Sequence, residues 1–286
     1  MVRNCPVPCW STTMVSGLSK GAVESVVVAV LLLFVLAFSL WQIFRSQDRY
    51  REEAAAHEAL LAYRPDIPGE VPSGSAPASP LPAGTRPADP VSPSEPEAAE
   101  PTEPFVNETI LRLRADHPNA LGWITVPGTR VDYAFVQGPD NDYFLRRDVD
   151  GNYLYAGVPF LDWRCEPDFS GPNTVIYGHN LRNGTMFGDL EKFRDRAYLE
   201  AHREVLVFLE HETIRAQAVA CLVVDPDEKD YVYDLEPEAD HLDRILKDAR
   251  AAVKEEFPEG SRLITLSTCG YEFEGARIIL VCLINN

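Results

Sequence analysis

The sequence predicts a mainly β domain with helices, arranged as a barrel or a sandwich, that follows a membrane-spanning helix. Eight short segments with strand signals fill the last two-thirds of the chain, and few helical stretches interrupt them. A single long apolar run lies near the N-terminus. Short strands separated by turn residues are typical of barrels and sandwiches.

The apolar run covers residues 25–44, about 20 residues, which is enough for a helix to cross the hydrocarbon core of a bilayer. A cleaved signal peptide would have a shorter apolar core and small residues at its end. Trp41 and Phe44 close this run instead. We therefore predict a transmembrane signal-anchor over residues 22–44, preceded by a short tail, residues 1–21. The flanking Lys and Arg residues do not decide its orientation.

Composition changes twice after the anchor. Residues 45–63 are rich in Ala, Glu and Leu and predict a helical stalk. Residues 64–104 are rich in Pro, Ser, Ala and Glu, a composition that buries too little apolar surface to fold. This stretch predicts a disordered linker that holds the folded domain, residues 105–286, away from the membrane.

The globular part begins with a short amphipathic helix near residue 108 and then turns to strands. Two further helical stretches, residues 185–196 and 236–256, lie between strands. The acidic loop at residues 225–230 has no calcium-loop spacing, so a solvated surface is the better interpretation. The predicted strands are 123–126, 131–137, 158–162, 174–179, 205–210, 213–224, 263–269 and 276–284.

Charge and cysteine spacing exclude several classes of protein. The 286-residue chain has a net charge of −18, which argues against nucleic acid as a partner because phosphate binding needs clustered cations. Its six cysteines include no CxxC pair, which leaves zinc-ribbon and thioredoxin-type sites without support. Cys221 and Cys282 lie within apolar strands and are expected in the core.

Cys269 is the candidate nucleophile because it ends an apolar strand in a turn of small and polar residues. A cysteine nucleophile reacts as the thiolate and usually needs a histidine partner. His179 fits that role because it closes an apolar strand between Gly178 and Asn180. His57 lies in the stalk, and His117, His202, His211 and His241 are expected to be exposed.

Arg277 is the candidate for stabilising the oxyanion of a tetrahedral intermediate. It begins the strand after Cys269, and a tight turn through residues 272–275 would return it towards that cysteine. A cation facing the carbonyl oxygen supplies several kcal/mol in a partly water-excluded site.

Three stretches resemble the sortase family, class B. TLSTC at 265–269 followed by Arg277 resembles the TLxTC…R signature. VIYGHNLRNGTMFGDLEKF at 175–193 is similar to the class B pattern GHNMxxGxMFxxLxxY. Residues 122–145 resemble the family's first strands, and a long helix between strands six and seven is a further class B trait. The resemblance covers residue 110 to the C-terminus.

The resemblance implies an eight-stranded sortase-type β-barrel with an N-terminal helix and a long helix between strands 6 and 7. It implies a cysteine transpeptidase that cleaves an NPxTx-like sorting signal after Thr. Because this family acts outside the cell, it also implies that residues 105–286, the catalytic domain, are extracellular and that the short tail, residues 1–21, is cytoplasmic. A thioacyl-enzyme on Cys269 would pass to an amine of a peptidoglycan precursor or a pilin. His179 would transfer protons, Arg277 would hold the substrate and the oxyanion, and Ser267 and Thr268 would contact or position the substrate. No metal or organic cofactor is needed.

Two alternatives remain at this stage. A cysteine peptidase or hydrolase would use the same three residues with water as the acceptor. A catalytically silent cell-surface binding module would keep the barrel alone, although an intact set of Cys269, His179 and Arg277 argues against it.

Overall fold

The structure is a computed structural model, and it describes residues 20–67, 105–253, 258 and 260–285. It begins with α1, Lys20–Leu60, a single helix of 41 residues. The apolar side chains from Val27 to Phe44 are exposed, and the helix is long and apolar enough to cross a membrane. This fits the predicted membrane anchor. The predicted tail and most of the Pro-rich stretch lie outside the described residues.

The compact unit that contains the barrel begins at Glu52, within the last part of α1, whereas we expected a domain that starts at residue 105. A short 3₁₀ helix, Leu61–Tyr63, follows α1. The chain is described again from Phe105 and forms α2, Glu108–Asp116. The Asn107 side chain caps α2 by accepting bonds from two backbone N–H groups, and the helix buries Ile110 and Leu113 against the barrel.

Among the described residues the sheet contains nine strands, eight of which form a closed ring. The strands are β1 Ala120–Thr125, β2 Asp132–Gln137, β3 Phe160–Leu161, β4 Asn173–Tyr177, β5 Glu204–Phe208, β6 Thr213–Val224, β7 Ala251–Ala252, β8 Leu263–Cys269 and β9 Arg277–Ile284. Around the ring the order is β1, β2, β3, β4, β8, β9, β6, β5, and β5 pairs again with β1. The ninth strand, β7, pairs only with β6 in the described part of the chain.

The predicted eight-stranded barrel is confirmed, and all eight predicted strands overlap observed ones. Val175, Ile176, Leu266 and Ile279 are among the buried residues of the main apolar core. This core fixes β8 between β4, its parallel neighbour, and β9, its antiparallel neighbour. The ends of β4 and β8 and the start of β9 therefore lie side by side.

The helices between strands are shorter than predicted. The stretch at 185–196 forms a 3₁₀ helix, Gly188–Arg194, and α3 follows at Arg196–Ala201. The helix between barrel strands six and seven is α4, His241–Asp248, with eight residues instead of the predicted 236–256. Pairing of Ala251 and Ala252 with β6 replaces helix with strand at that point. His241, expected at the surface, is only 3% exposed, since it opens the face of α4 that packs inward.

Candidate active site

One cleft, with a volume of about 270 Å³, is lined by all five residues that the sequence predicted for the site. It lies where β4 and β8 end and β9 begins. The sequence did not point to four other residues of its wall, Asn141, Leu145, Phe160 and Tyr177. The residues that line the cleft are Asn141, Leu145, Phe160, Tyr177, Gly178, His179, Ser267, Thr268, Cys269 and Arg277.

Cys269 is the last residue of β8 and is partly exposed, whereas Cys165, Cys221 and Cys282 are buried. Burial raises the pKa of the Cys165 and Cys282 thiols, and it raises the pKa of Cys221 to about 12. Those three thiols are therefore poor nucleophiles. Among the four cysteines in the described part of the chain, Cys269 is the one that a substrate can reach.

His179 reaches the cleft because β4 and β8 run parallel. Tyr177 pairs with Ser267 in that ladder, so His179 and Cys269 each lie two residues beyond the same pair. The Gly178 N–H donates to the Ser267 carbonyl at 3.0 Å, and the Thr268 hydroxyl donates to the Gly178 carbonyl at 2.6 Å. These two bonds extend the pairing between the β4 and β8 segments beyond the last residue of β4.

The imidazole of His179 is half-buried and oriented by the backbone. Its Nε2 lies 2.9 Å from the Leu145 carbonyl oxygen, and because a carbonyl only accepts, this nitrogen carries a proton. Burial lowers the pKa of His179, the bond to Leu145 opposes that shift, and the nearby Arg146 lowers the pKa further. No hydrogen bond joins His179 to the Cys269 thiol within the described residues, although both side chains line the same cleft.

Arg277 is the direct partner of Cys269 in the β8–β9 ladder. The turn between them ends at Gly275, whose φ of +81° lies in the left-handed region that glycine adopts readily. The Arg277 Nη1 donates to the carbonyls of Gly275 and Ala276 at 2.9 and 3.1 Å. These bonds fix the guanidinium near the start of β9, and Arg277 and Cys269 line the same cleft.

Ser267 and Thr268, the two candidates for substrate contact or positioning, are almost fully buried, with 1% and 2% exposure. The Ser267 hydroxyl lies 3.0 Å from the Tyr233 hydroxyl, and the Thr268 hydroxyl is engaged by Gly178. Their hydroxyls therefore brace the strand ends, which favours positioning over contact with a substrate.

Asn180 links the two segments that carry His179 and Cys269. Its side-chain Nδ2 donates to the Cys269 carbonyl at 3.0 Å and to Glu191 Oε1 at 2.6 Å, and its backbone carbonyl accepts from the Tyr271 hydroxyl at 2.7 Å. Arg194 then pairs with both Glu191 and Glu272. The only sequence signal for this network is the position of Asn180 directly after His179.

A buried carboxylate, Asp162, supports the other wall of the cleft. Its oxygens accept bonds from Arg164, from Asn141 at 3.0 Å and from the Tyr177 hydroxyl at 3.0 Å. Burial alone would raise the pKa of Asp162, but the bonds from Arg164, Asn141 and Tyr177 outweigh it and lower the pKa to about 2. Asp162 is therefore ionised and fixes two side chains that line the cleft.

Comparison with known proteins identifies relatives of the barrel. Residues 124–284 match the family model of the sortase domain. A sortase B of Listeria monocytogenes is 30% identical over 184 residues, covering 61% of this chain and 73% of the Listeria protein. A sortase B of Staphylococcus aureus is 28% identical over 185 residues, covering 61% and 72%.

Solved structures give the same result. A Clostridium perfringens sortase B superposes with a TM-score of 0.58 at 25% identity, covering 62% of this chain and 99% of that one. A Streptococcus pyogenes class B sortase involved in pilus biogenesis superposes with a TM-score of 0.56 at 27% identity, covering 61% and 96%.

Proposed function

The chain belongs to the sortase family as a class B cysteine transpeptidase, and we propose that Cys269, His179 and Arg277 carry out its reaction. The observation that carries this proposal is the convergence of the three side chains on one cleft from three adjacent strands. Such convergence gives a nucleophile, a proton-transfer group and a cation within reach of one bound carbonyl.

The first half-reaction would form a thioester. The Cys269 thiolate attacks the Thr carbonyl of an NPxTx-like sorting signal, and a C–S bond forms as the carbonyl becomes an oxyanion beside Arg277. Protonated His179 donates its proton to the leaving amine. The C–N bond then breaks and leaves the acyl group on Cys269.

The second half-reaction would transfer the acyl group to an amine. The incoming amine attacks the thioester carbonyl, His179 accepts its proton, a new C–N bond forms, and the C–S bond breaks to regenerate the thiolate. The Leu145 carbonyl engages one ring nitrogen of His179, which leaves the other nitrogen to exchange the proton. An amine of a peptidoglycan precursor or of a pilin would be the acceptor.

We propose that the N-terminal apolar helix anchors the enzyme with its short tail inside and the barrel outside. The support is that sorting signals and wall amines are extracytoplasmic, together with the length and apolar surface of the helix. A cysteine-scanning assay with a membrane-impermeant thiol reagent on intact cells would test this orientation. Labelling of a cysteine introduced before residue 20 would contradict it.

The decisive experiment incubates the purified full-length protein with NPxTx and LPxTG peptides and a set of amine acceptors, followed by mass spectrometry. We expect cleavage after Thr and ligation to the amine, both abolished in Cys269→Ala. The matched control is Cys165→Ala, which removes a buried thiol outside the cleft. Products with water alone would favour a hydrolase, and unchanged turnover in Cys269→Ala would refute the assignment.

A further inference from the structure

We propose that residues 52–67, the end of α1 and its continuation, are a supporting element of the active site that holds the loop carrying His179. The proposal rests on the role assigned to His179 above. The loop, residues 178–188, begins at the end of β4 and closes through a bond from the Phe187 N–H to the His179 carbonyl at 2.9 Å. The end of α1 supports this loop at two places, once indirectly through Tyr133 and once by direct contact with Asn183.

The first contact runs through an aromatic pair. The ring of His57 lies 4.4 Å from the ring of Tyr133, centroid to centroid. The Tyr133 hydroxyl accepts a hydrogen bond from the Met186 N–H at 3.0 Å. Met186 has a φ of +56°, a left-handed conformation that a residue other than glycine keeps only when its surroundings enforce it. His57 therefore packs against Tyr133, whose hydroxyl holds the loop at Met186 through a hydrogen bond.

The second contact is polar and lies near the tip of the loop. Glu53 is only 4% exposed, and its Oε2 accepts from the Asn183 side chain at 3.3 Å. Between the two contacts, Ala56 packs against the small apolar cluster that contains Met186. One helical turn, from Glu53 to His57, thus covers the loop from its tip to Met186.

The remainder of the segment is fixed to the barrel as well. Leu60 is buried in the second apolar core. The Tyr63 hydroxyl donates to Asp116 at 2.7 Å, and Arg64 pairs with Asp132 at 2.5 Å. These contacts hold residues 60–64, which follow the last turns of α1, on the surface of the barrel.

A consequence concerns the Pro-rich stretch. Ile67 packs against the second core, and the Asn107 N–H donates to the Glu210 carbonyl, so both ends of residues 68–104 are attached to the same compact unit. This stretch is therefore an insertion within the catalytic unit. In this proposal residues 45–51, and not the Pro-rich stretch, join the anchor to the barrel, which differs from the arrangement expected from the sequence.

The test compares variants of the full-length protein in detergent. We expect His57→Ala and Glu53→Ala to speed amide hydrogen exchange at Met186 and Phe187 and to lower kcat about tenfold with little change in KM, since the loop carries the proton-transfer group. His57→Phe, which keeps the ring contact, should restore both values. The control is Glu58→Ala, which removes an exposed carboxylate on the same helix.

Hydrogen exchange does not require turnover, so it decides the proposal even if no peptide proves to be a substrate. Exchange rates in His57→Ala equal to those of the unaltered protein would overturn it. A second measurement uses a protease site inserted within residues 68–104. We expect the two cleaved fragments to stay together through size-exclusion chromatography, and their separation would overturn the docking of residues 52–67.

Discussion

The Asn180 side chain donates a hydrogen bond to the backbone carbonyl of Cys269 at 3.0 Å. Asn180 follows His179 and Cys269 ends β8, so one buried amide joins the two chain segments that carry the thiol and the imidazole. The same side-chain amide also donates to Glu191, and the backbone carbonyl of Asn180 accepts a hydrogen bond from the Tyr271 hydroxyl in the turn beyond Cys269. The distance between His179 and Cys269 therefore depends on a third residue that does not itself react.

We expect Asn180→Ala to lower kcat by about tenfold to a hundredfold with a smaller change in KM, because loss of the amide frees two segments whose alignment the reaction needs. The kinetics of peptide ligation would measure the change in both kcat and KM. Asn119→Ala is the control, since Asn119 also donates to a backbone carbonyl at 3.0 Å but away from the cleft. Equal effects from both variants would show that Asn180 acts only through overall stability.

Arg194 pairs with Glu191 and Glu272 and so joins the 3₁₀ helix after the His179 loop to the turn after Cys269. Each side chain is about one-third exposed, with values of 34%, 35% and 31%, so solvent weakens the pairing. A double-mutant cycle with Arg194→Ala and Glu272→Ala should give a coupling of about 0.5–1 kcal/mol in urea unfolding. Arg196 and Glu200, an exposed pair on α3, provide a reference cycle. A coupling free energy of zero for Arg194 and Glu272 would show that this ion pair does not stabilise the contact between the 3₁₀ helix and the turn.

The sequence predicted the barrel because its strands have period-two patterns and clear turn residues, as at Leu263–Cys269. It also predicted five residues of the cleft, because each lies at or near a strand end, where the backbone direction fixes the side chain. Helix length was harder to predict. The apolar spacing of 236–256 suggested one helix, but pairing of Ala251 and Ala252 with β6 overrides that local preference.

The supporting residues could not be predicted for a different reason. Asp162 and Tyr177 are 15 positions apart, and Glu53 and Asn183 are 130 apart, so their contacts depend on how distant segments meet. No local pattern signals such a contact. The Pro-rich composition was equally ambiguous, because a spacer and an insertion that returns to the same unit have the same sequence properties.

The pH response of His179 should depend on Arg146. The positive charge of Arg146 disfavours the imidazolium and lowers the pKa of His179, so Arg146→Gln should raise that pKa and move the titration to higher pH. We would follow the His179 ring by NMR in a Cys269→Ser background, which avoids coupling to the thiol. Arg147→Gln is the control, since Arg147 lies over the Tyr143 ring. A titration that moves to lower pH in Arg146→Gln would contradict this explanation.

Asp162 should make the free energy of unfolding depend on pH in the acidic range. Its pKa falls from 3.8 to about 2 in the folded state, so its contribution of about 2 kcal/mol is present above pH 4 and is lost as the pH falls towards 2. Asp162→Asn should therefore destabilise the protein at pH 7 and flatten the dependence of unfolding free energy on pH between 4 and 2. Chemical denaturation at several pH values measures both. Asp227→Asn, in an exposed loop, should leave the curve unchanged.

Arg277→Lys should test whether the shape of the guanidinium matters in addition to its charge. Both backbone bonds of Arg277 use Nη1, and its other two nitrogens have no hydrogen-bond partner among the residues that the structure describes. One nitrogen therefore anchors the group while the others remain for an oxyanion. Lysine carries all three of its N–H donors on one nitrogen, so it cannot hold the carbonyls at one position and reach an oxyanion at another, and kcat should fall about a hundredfold.

The matched control for Arg277→Lys is Arg215→Lys, an exposed arginine of β6 that pairs with Glu204. We expect it to leave kcat and KM unchanged. Arg277→Ala should lose at least as much of kcat as Arg277→Lys, because it removes the charge as well. If Arg277→Lys instead raised KM and spared kcat, Arg277 would bind the substrate in the ground state without stabilising the oxyanion.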